Sequence, residues 1–332
     1  MRGRAIMRLR NSDAIRENGK RRAGVWAAAA LLLAAASLWA QTRSGGRGGD
    51  FTISLDVDLV VLHATVVDTS GHYVTELTGE RFKIFEDGVE QKLSVFRDED
   101  VPITVGLVLD NSSSMRENRR SMVTGALAFA VSSNPLDEVF VVNFMDDYYL
   151  DLEGKDFTND IGELKEALEK TTTQGNTAYY DAVRASLQHL QRGTRQKKAL
   201  LVISDGVDRA SVSDFKTLLE DARKAEAAVY VVSPPCTEGR RCKGAKREIR
   251  RLAEASGGMA YFPTTIEQVE TLCRQIAHDI RSQYVLGYYP SNKARDGSFR
   301  TVRVEVVPPP GSKKLTVRTR TGYYAQGGTG SQ

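Results

Sequence analysis

Residues 101–115, VPITVGLVLDNSSSM, constrain the fold more than any other stretch of the chain. The run 103–109 is apolar and bounded by polar residues. A run of that length between turn-forming residues reads as a strand buried on both faces, as in a parallel sheet. It stops at Asp110, residues 111–114 are polar, and a helical pattern begins near Arg116. Strand, polar loop and helix in that order put ligand-binding groups at the carboxyl edge of an α/β sheet. The loop reads D-x-S-x-S, with Asp110, Ser112 and Ser114 in alternate positions. One carboxylate and two hydroxyls are hard oxygen donors able to converge on one point, a donor set that suits Mg²⁺. The same residues also suit a plainer use, an Asx-turn followed by a helix N-cap.

Two later loops weigh on that choice. Thr177 lies in QGNTAYYDAV, a glycine-containing loop ahead of a helical pattern, and Asp205 ends a second apolar run, 199–204, with Gly206 behind it. Three such loops in one α/β pattern resemble the von Willebrand factor A domain with its metal-ion-dependent adhesion site, over residues 101–281. The resemblance implies a metal site made by Asp110, Ser112, Ser114, Thr177 and Asp205. It implies Mg²⁺, with Mn²⁺ or Ca²⁺ as alternatives, and a protein partner that supplies an Asp or Glu carboxylate. The neutral hydroxyls leave such a cation under-neutralised, which is why a partner carboxylate would be drawn to it.

The function expected is therefore an exported, non-catalytic, metal-dependent protein-binding module of adhesion type. A structural subunit of a cell-envelope assembly would share the fold and the site. A phosphatase of the haloacid-dehalogenase type would need a second Asp two residues after Asp110, where Ser112 stands, and Asp205 with Asp208 matches its later acidic pair poorly. No G-x-S-x-G, H-E-x-x-H or phosphate-binding P-loop occurs in the sequence. Asp181 and Asp208 read as structural carboxylates, and Asp146 and Asp147 as residues that either rim the site or form a solvated turn.

The N-terminus reads as a targeting segment. Residues 1–22 hold seven Arg and one Lys against Asp13 and Glu17, and residues 23–40 carry no charge. The uncharged run is near the minimum for a membrane span. Its alanine content favours a cleaved signal peptide, with Ala35 at −3 if cleavage follows Ser37; an uncleaved anchor is the other reading. In both cases the basic end stays in the cytoplasm and the rest is periplasmic, secreted or anchored to the membrane. Residues 41–50 are rich in Gly, Arg and Ser and read as a flexible linker.

The formal charge of +4 is misleading, because residues 1–22 alone contribute +6 and the remainder is −2. That balance argues against nucleic acid as a partner. Arg240, Arg241 and Lys243 read as a solvated basic loop. Cys236 and Cys242 bracket it; they either pair in an oxidising compartment or remain free thiols. No histidine lies near them in sequence, so zinc is not expected.

On both sides of the α/β pattern the chain changes to short alternating runs. Residues 51–98 predict an antiparallel unit, with 82–85 and 93–96 as strands and Glu86-Asp87-Gly88 as the hairpin turn between them. Residues 283–325 predict further strands in QYVLGYYP, SFRTVRVEVV and LTVRTRTGYYA. Neither set is complete alone. The expected architecture is a doubly wound, mostly parallel α/β domain, 101–281, inserted in a small antiparallel β-sandwich made of 51–98 and 283–325. This layout resembles the secreted VWFA-related proteins common in acidobacteria. Residues 326–332 read as a disordered tail.

Overall fold

In the computed structural model, residues 59–325 are described, apart from 71, 99, 171–172, 237–238 and 312–313. All belong to one compact unit, Val57–Gln332. The expected targeting segment, linker, first residues of the β-unit and tail lie outside the described residues. Among the described residues no helix is long and apolar enough to cross a membrane.

Four strands come first: β1 Val60–Val67, β2 Phe82–Glu86, β3 Val89–Gln91 and β4 Leu93–Arg97. The α/β segment follows with β5 Ile103–Asp110, α1 Arg119–Val131, β6 Glu138–Phe144, β7 Tyr148–Leu150, α2 Ile161–Glu169 and α3 Tyr179–Leu190. It continues with β8 Lys197–Ile203, α4 Phe215–Lys224, β9 Ala228–Val232, α5 Arg240–Ser256, β10 Ala260–Tyr261 and α6 Gln268–Arg281. The chain returns to strands in β11 Tyr284–Tyr288, β12 Phe299–Val306, β13 Thr316–Arg318 and β14 Gly322–Tyr324.

The central sheet has six strands in the order β10-β9-β8-β5-β6-β7. Its neighbours pair in parallel except for the antiparallel edge strand β7. Strand β5 sits inside the sheet and is buried along its whole length, which explains its unbroken apolar run. Residues Ile103, Val105, Leu107 and Leu109 face one core, shared with α1, α2 and α6. Val108 faces the other, shared with α3, α4 and α5. Three helices thus cover each face, the doubly wound arrangement the strand–helix alternation predicts.

The flanking strands build two further sheets, in the orders β13-β1-β11-β4 and β14-β12-β2-β3. Each joins segments from both sides of the α/β region: β1 pairs with β11, and β2 with β12, all antiparallel. Between the two sheets lies a common core that includes Leu62, Ile84, Tyr284 and Leu286. At its end Arg300 donates to Glu86 Oε1 at 3.0 Å, and Tyr288 and Tyr323 donate to Glu86 Oε2 at 2.7 and 2.8 Å. Arg300 and Glu86 are each only 2% exposed, so this ion pair is satisfied inside the fold rather than by water.

Three local expectations change. The hairpin partner of Phe82–Glu86 is Val89–Gln91, and Leu93–Arg97 crosses to the other sheet to pair with β11. The closing run LTVRTRTGYYA divides into β13 and β14 on different sheets. The segment holding Arg240, Arg241 and Lys243 is the first turn of α5, not a loop. Its basic residues and Gly244 gave no apolar period to read, and a Cys236–Cys242 disulfide ties this turn to the strand-end loop before it.

Candidate functional site

Strands β5, β8 and β9 run parallel, so their carboxyl ends lie on one edge of the sheet. Asp110 is the last residue of β5, and Asp205 follows the end of β8 by two residues. Asp110 is fully buried and Asp205 is 3% exposed. One oxygen of Asp110 accepts from the backbone N–H of Ser112 at 2.9 Å, the Asx-turn the D-x-S pattern suggests. The other accepts from the Ser204 hydroxyl at 2.6 Å. Ser204 Oγ in turn accepts from the N–H of Gly206 at 2.9 Å, and Asp205 Oδ1 accepts from the N–H of Val207 at 3.0 Å. The plainer reading of this loop is thus half realised: the Asx-turn forms, but Ser112 makes no side-chain cap to the short 3₁₀ turn Ser113–Met115.

Ser112 and Ser114 bring their hydroxyls to 3.1 Å of each other, with Ser112 buried and Ser114 exposed. The loop carrying Thr177 is stitched alongside. Gln174 donates its N–H to the Asn111 carbonyl at 2.9 Å, and Ser113 donates to the Gly175 carbonyl at 3.1 Å. Ala178 donates to the Met145 carbonyl, and the Thr177 carbonyl accepts from Arg209 and Ala210. Thr177 is buried, at the junction of the loops after β5, β6 and β8. Gly175 permits this path. Its φ is +69°, and a Cβ there would lie 1.9 Å from Asp146 Oδ2. Asp146 accepts the N–H of Asn176 at 3.0 Å while remaining exposed, so it supports the Thr177 loop from the solvent side.

Burial pushes the Asp110 carboxyl up to about 7; the Ser112 and Ser204 hydrogen bonds oppose the rise and the Asp205 charge adds to it. Asp205 is a second buried carboxylate beside it. Three hydroxyls, from Ser112, Ser114 and Thr177, are in the same loops. Among the described residues no cluster of three or more His, Cys, Asp or Glu side chains forms a metal site of the soft or carboxylate-rich kind. The carboxylate and hydroxyl oxygens of these loops are hard donors, the kind that suits a small divalent cation.

Several positions carry this geometry without having stood out in the sequence. Ser204 holds the second oxygen of Asp110. Asn111 donates to Asn143 Oδ1 at 2.8 Å, and Asn143 donates to Asp151 at 2.6 Å and to the Ala167 carbonyl at 2.8 Å. Asn143 is fully buried within β6, and one amide in the run EVFVVNF was the signal that could have found it. Asp181 and Asp208 are structural, as expected: Asp181 accepts from the N–H groups of Val212 and Ser213, and Asp208 from Tyr180 and the Ser211 hydroxyl. Tyr179 opens α3 with a buried hydroxyl that has no hydrogen-bond partner among the described residues.

Residues 105–207 match the family model of the von Willebrand factor type A domain. None of the curated proteins matches the chain. Among solved structures it is similar to a von Willebrand factor type A protein from Catenulispora acidiphila, at 10% identity and a TM-score of 0.49, over 80% of this chain and 74% of that one. It is similar to the von Willebrand domain of the type V pili tip protein Mfa5 from Porphyromonas gingivalis, at 12% identity and a TM-score of 0.45, over 55% of this chain and 95% of that one. It is also similar to the pilus adhesin SpaC from Lactobacillus rhamnosus GG, at 12% identity and a TM-score of 0.46, over 76% of this chain and 49% of that one.

Proposed function

We propose, on the premise that residues 105–207 are a von Willebrand factor type A domain, that this chain is a non-catalytic, divalent-metal-dependent module for binding another protein. The observation that carries the reading is Asp110, a fully buried carboxylate fastened at both oxygens beside a second buried carboxylate, Asp205, and next to the paired hydroxyls of Ser112 and Ser114. Asp110, Ser112, Ser114, Thr177 and Asp205 would hold the cation, Mg²⁺ before Mn²⁺ or Ca²⁺. Once bound, it supplies electrophilic attraction for an Asp or Glu carboxylate of the partner. The residues themselves do the positioning. Ser204 and the Ser112 N–H orient Asp110, the Gly175 turn brings Thr177 in, and exposed Ser114 leaves the approach to the site open.

The charged N-terminal run followed by an uncharged one supports export, and the Cys236–Cys242 disulfide is consistent with an oxidising compartment. A fusion of residues 1–50 to a reporter active only outside the cytoplasm tests that part; activity confined to the cytoplasm rejects it.

Calorimetric titration of the full chain with MgCl₂ and with MnCl₂ tests the site. Binding by the wild type and its loss in Asp110→Ala, with the thermal transition retained, is the expected result. Equal metal binding by Asp110→Ala rejects the assignment. Partner capture from native envelope, with Mg²⁺ and with chelator, then tests the function: a partner held equally in both is bound elsewhere.

A further inference from the structure

Helix α5 is strongly basic in a chain that is close to neutral overall after residue 40. Residues 41–332 carry a net charge of −2, yet α5 holds seven Arg and Lys residues against Glu248 and Glu254. The apolar face of α5, with Cys242, Ala245, Ile249, Leu252 and Ala253, is buried. Arg240, Lys243 and Arg247 fall at i, i+3 and i+7, one stripe on the opposite face. All three are exposed, and none of their side chains makes an ion pair or hydrogen bond among the described residues. Arg250 and Arg251 extend the stripe, stacked on the rings of Phe262 and Phe215.

This arrangement works against the helix that carries it. Like charges three and four residues apart repel, and cations at a helix N-terminus oppose the macrodipole. Two other helices follow the opposite rule, with Asp160 capping α2 and Asp214 capping α4, although α1 also opens on cations, Arg119 and Arg120, without a side-chain cap. Helix α5 has no acidic residue in its first turn and no side-chain cap, and its first turn is tied covalently through Cys236–Cys242 instead. A cationic stripe kept at a cost to its own helix fits a surface that meets a ligand of opposite sign.

The stripe also starts in a telling place. The chain leaves β9 at the same edge where β5 and β8 present Asp110 and Asp205, and enters α5 from there. The turn after Asp205 rests on this helix: a Cβ at Gly206 would lie 2.5 Å from Ile249 Cδ1 and 3.8 Å from Ala245 Cβ. Tyr180, at the start of α3, donates its hydroxyl to Glu248 of α5 at 2.8 Å. On the other flank, beyond β6, stand Asp146 and Asp147. The rim is therefore acidic on one side and basic on the other, a field that steers an acidic partner toward α5.

We propose that α5 is the docking surface for an acidic segment of the partner protein, whose carboxylates pair with Arg240, Lys243 and Arg247 while a neighbouring carboxylate enters the Asp110–Asp205 site. The second clause rests on the metal-dependent reading above; the first stands without it.

The test is fluorescence anisotropy of a labelled peptide alternating Asp and Gly, titrated with the full, disulfide-intact chain at low and high salt, with Mg²⁺ and with chelator. The wild type binds the peptide, more tightly with Mg²⁺ and less tightly in salt. Combining Arg240→Gln, Lys243→Gln and Arg247→Gln weakens binding roughly tenfold and flattens the salt dependence, while the Mg²⁺ increment remains. The thermal transition of that variant is unchanged or raised, because repulsion has been removed. Asp110→Ala does the reverse, losing the Mg²⁺ increment and keeping the salt-sensitive part. Undiminished binding by the triple variant overturns the proposal. So does an oligonucleotide or a sulfated sugar of equal charge that binds as tightly as the peptide. Salt-sensitive binding with no response to Mg²⁺ or to Asp110→Ala rejects the metal-dependent reading and leaves α5 as an acidic-segment surface.

Discussion

Ser204 donates its hydroxyl to Asp110 Oδ2 at 2.6 Å, and this bond ties the end of β8 to the last residue of β5. Both groups are fully buried, so neither finds water as a substitute. Ser204→Ala removes the donor from Asp110 and also strands the N–H of Gly206. It is expected to cost about 1–3 kcal/mol of stability in denaturant unfolding, the usual penalty for orphaned buried polar groups. Divalent-cation affinity falls as well, because Asp110 loses its orientation. Unchanged affinity with lowered stability would confine Ser204 to a structural role.

The path of the Thr177 loop depends on Gly175. An alanine there meets both a positive φ and Asp146 Oδ2 at 1.9 Å. Gly175→Ala is expected to cost about 1–3 kcal/mol and to weaken cation binding while β5 and β8 stay paired. Amide hydrogen exchange would locate the change: faster exchange at Gln174 and Ala178, with the central strands still protected.

The buried pair Arg300–Glu86 joins β12, from after the α/β region, to β2, from before it. Arg300→Met leaves the Glu86 charge without its cation, a loss expected to cost about 3–5 kcal/mol. Chemical denaturation of the wild type and the variant measures it. A change below about 1 kcal/mol would place Glu86 in contact with water and contradict its 2% exposure.

Asp279 on α6 accepts from Tyr73 and from Tyr261, the latter at 3.1 Å, linking the β-sandwich to the α/β sheet. Burial pushes its carboxyl up to about 6, with the two tyrosine hydrogen bonds opposing the rise. The folded chain therefore keeps a proton there that the unfolded chain releases near the ordinary value of 3.8. The sign follows: this group stabilises the fold most below that value, and the contribution fades as pH rises to about 6. Its size is on the order of 2–3 kcal/mol. Asp279→Asn, measured by denaturation across pH 4–7 (roughly the titrating window), should remove this slope.

The Cys236–Cys242 bridge closes a short loop at the start of α5. Replacing both cysteines by serine is expected to lower stability by about 2 kcal/mol, from the entropy of a loop of that length. The first turn of α5 should fray, visible as faster amide exchange at Lys243 and Gly244. Full protection there in the serine variant would mean that packing of Ala245 and Ile249 alone holds the turn.

Local pattern was sufficient for whatever depends on neighbours along the chain. The apolar run 103–109 could be satisfied only by burial on both faces, and the strand–helix alternation that follows leaves a doubly wound sheet as its one economical closure. Element order places Asp110, Ser112, Ser114, Thr177 and Asp205 at strand ends or loops of an α/β sheet, but their grouping into one site came from the resemblance to the von Willebrand factor A domain. Pairing between distant segments was not legible. Phe82–Glu86 and Leu93–Arg97 are both good strands with a turn sequence between them, and nothing local says that they belong to different sheets; the shared core with Tyr284 and Leu286 decides it. Ser204 looked like the tail of an apolar run, and its role exists only because β5 and β8 lie side by side. Arg240 and Lys243 carried no apolar period, so only the disulfide and the packing of Ile249 under Gly206 made them one face of a helix beside the site. Hydrophobic period is a property of a segment, whereas a hydrogen-bond partner or a charged face is a property of two segments brought together, and that is settled by tertiary packing.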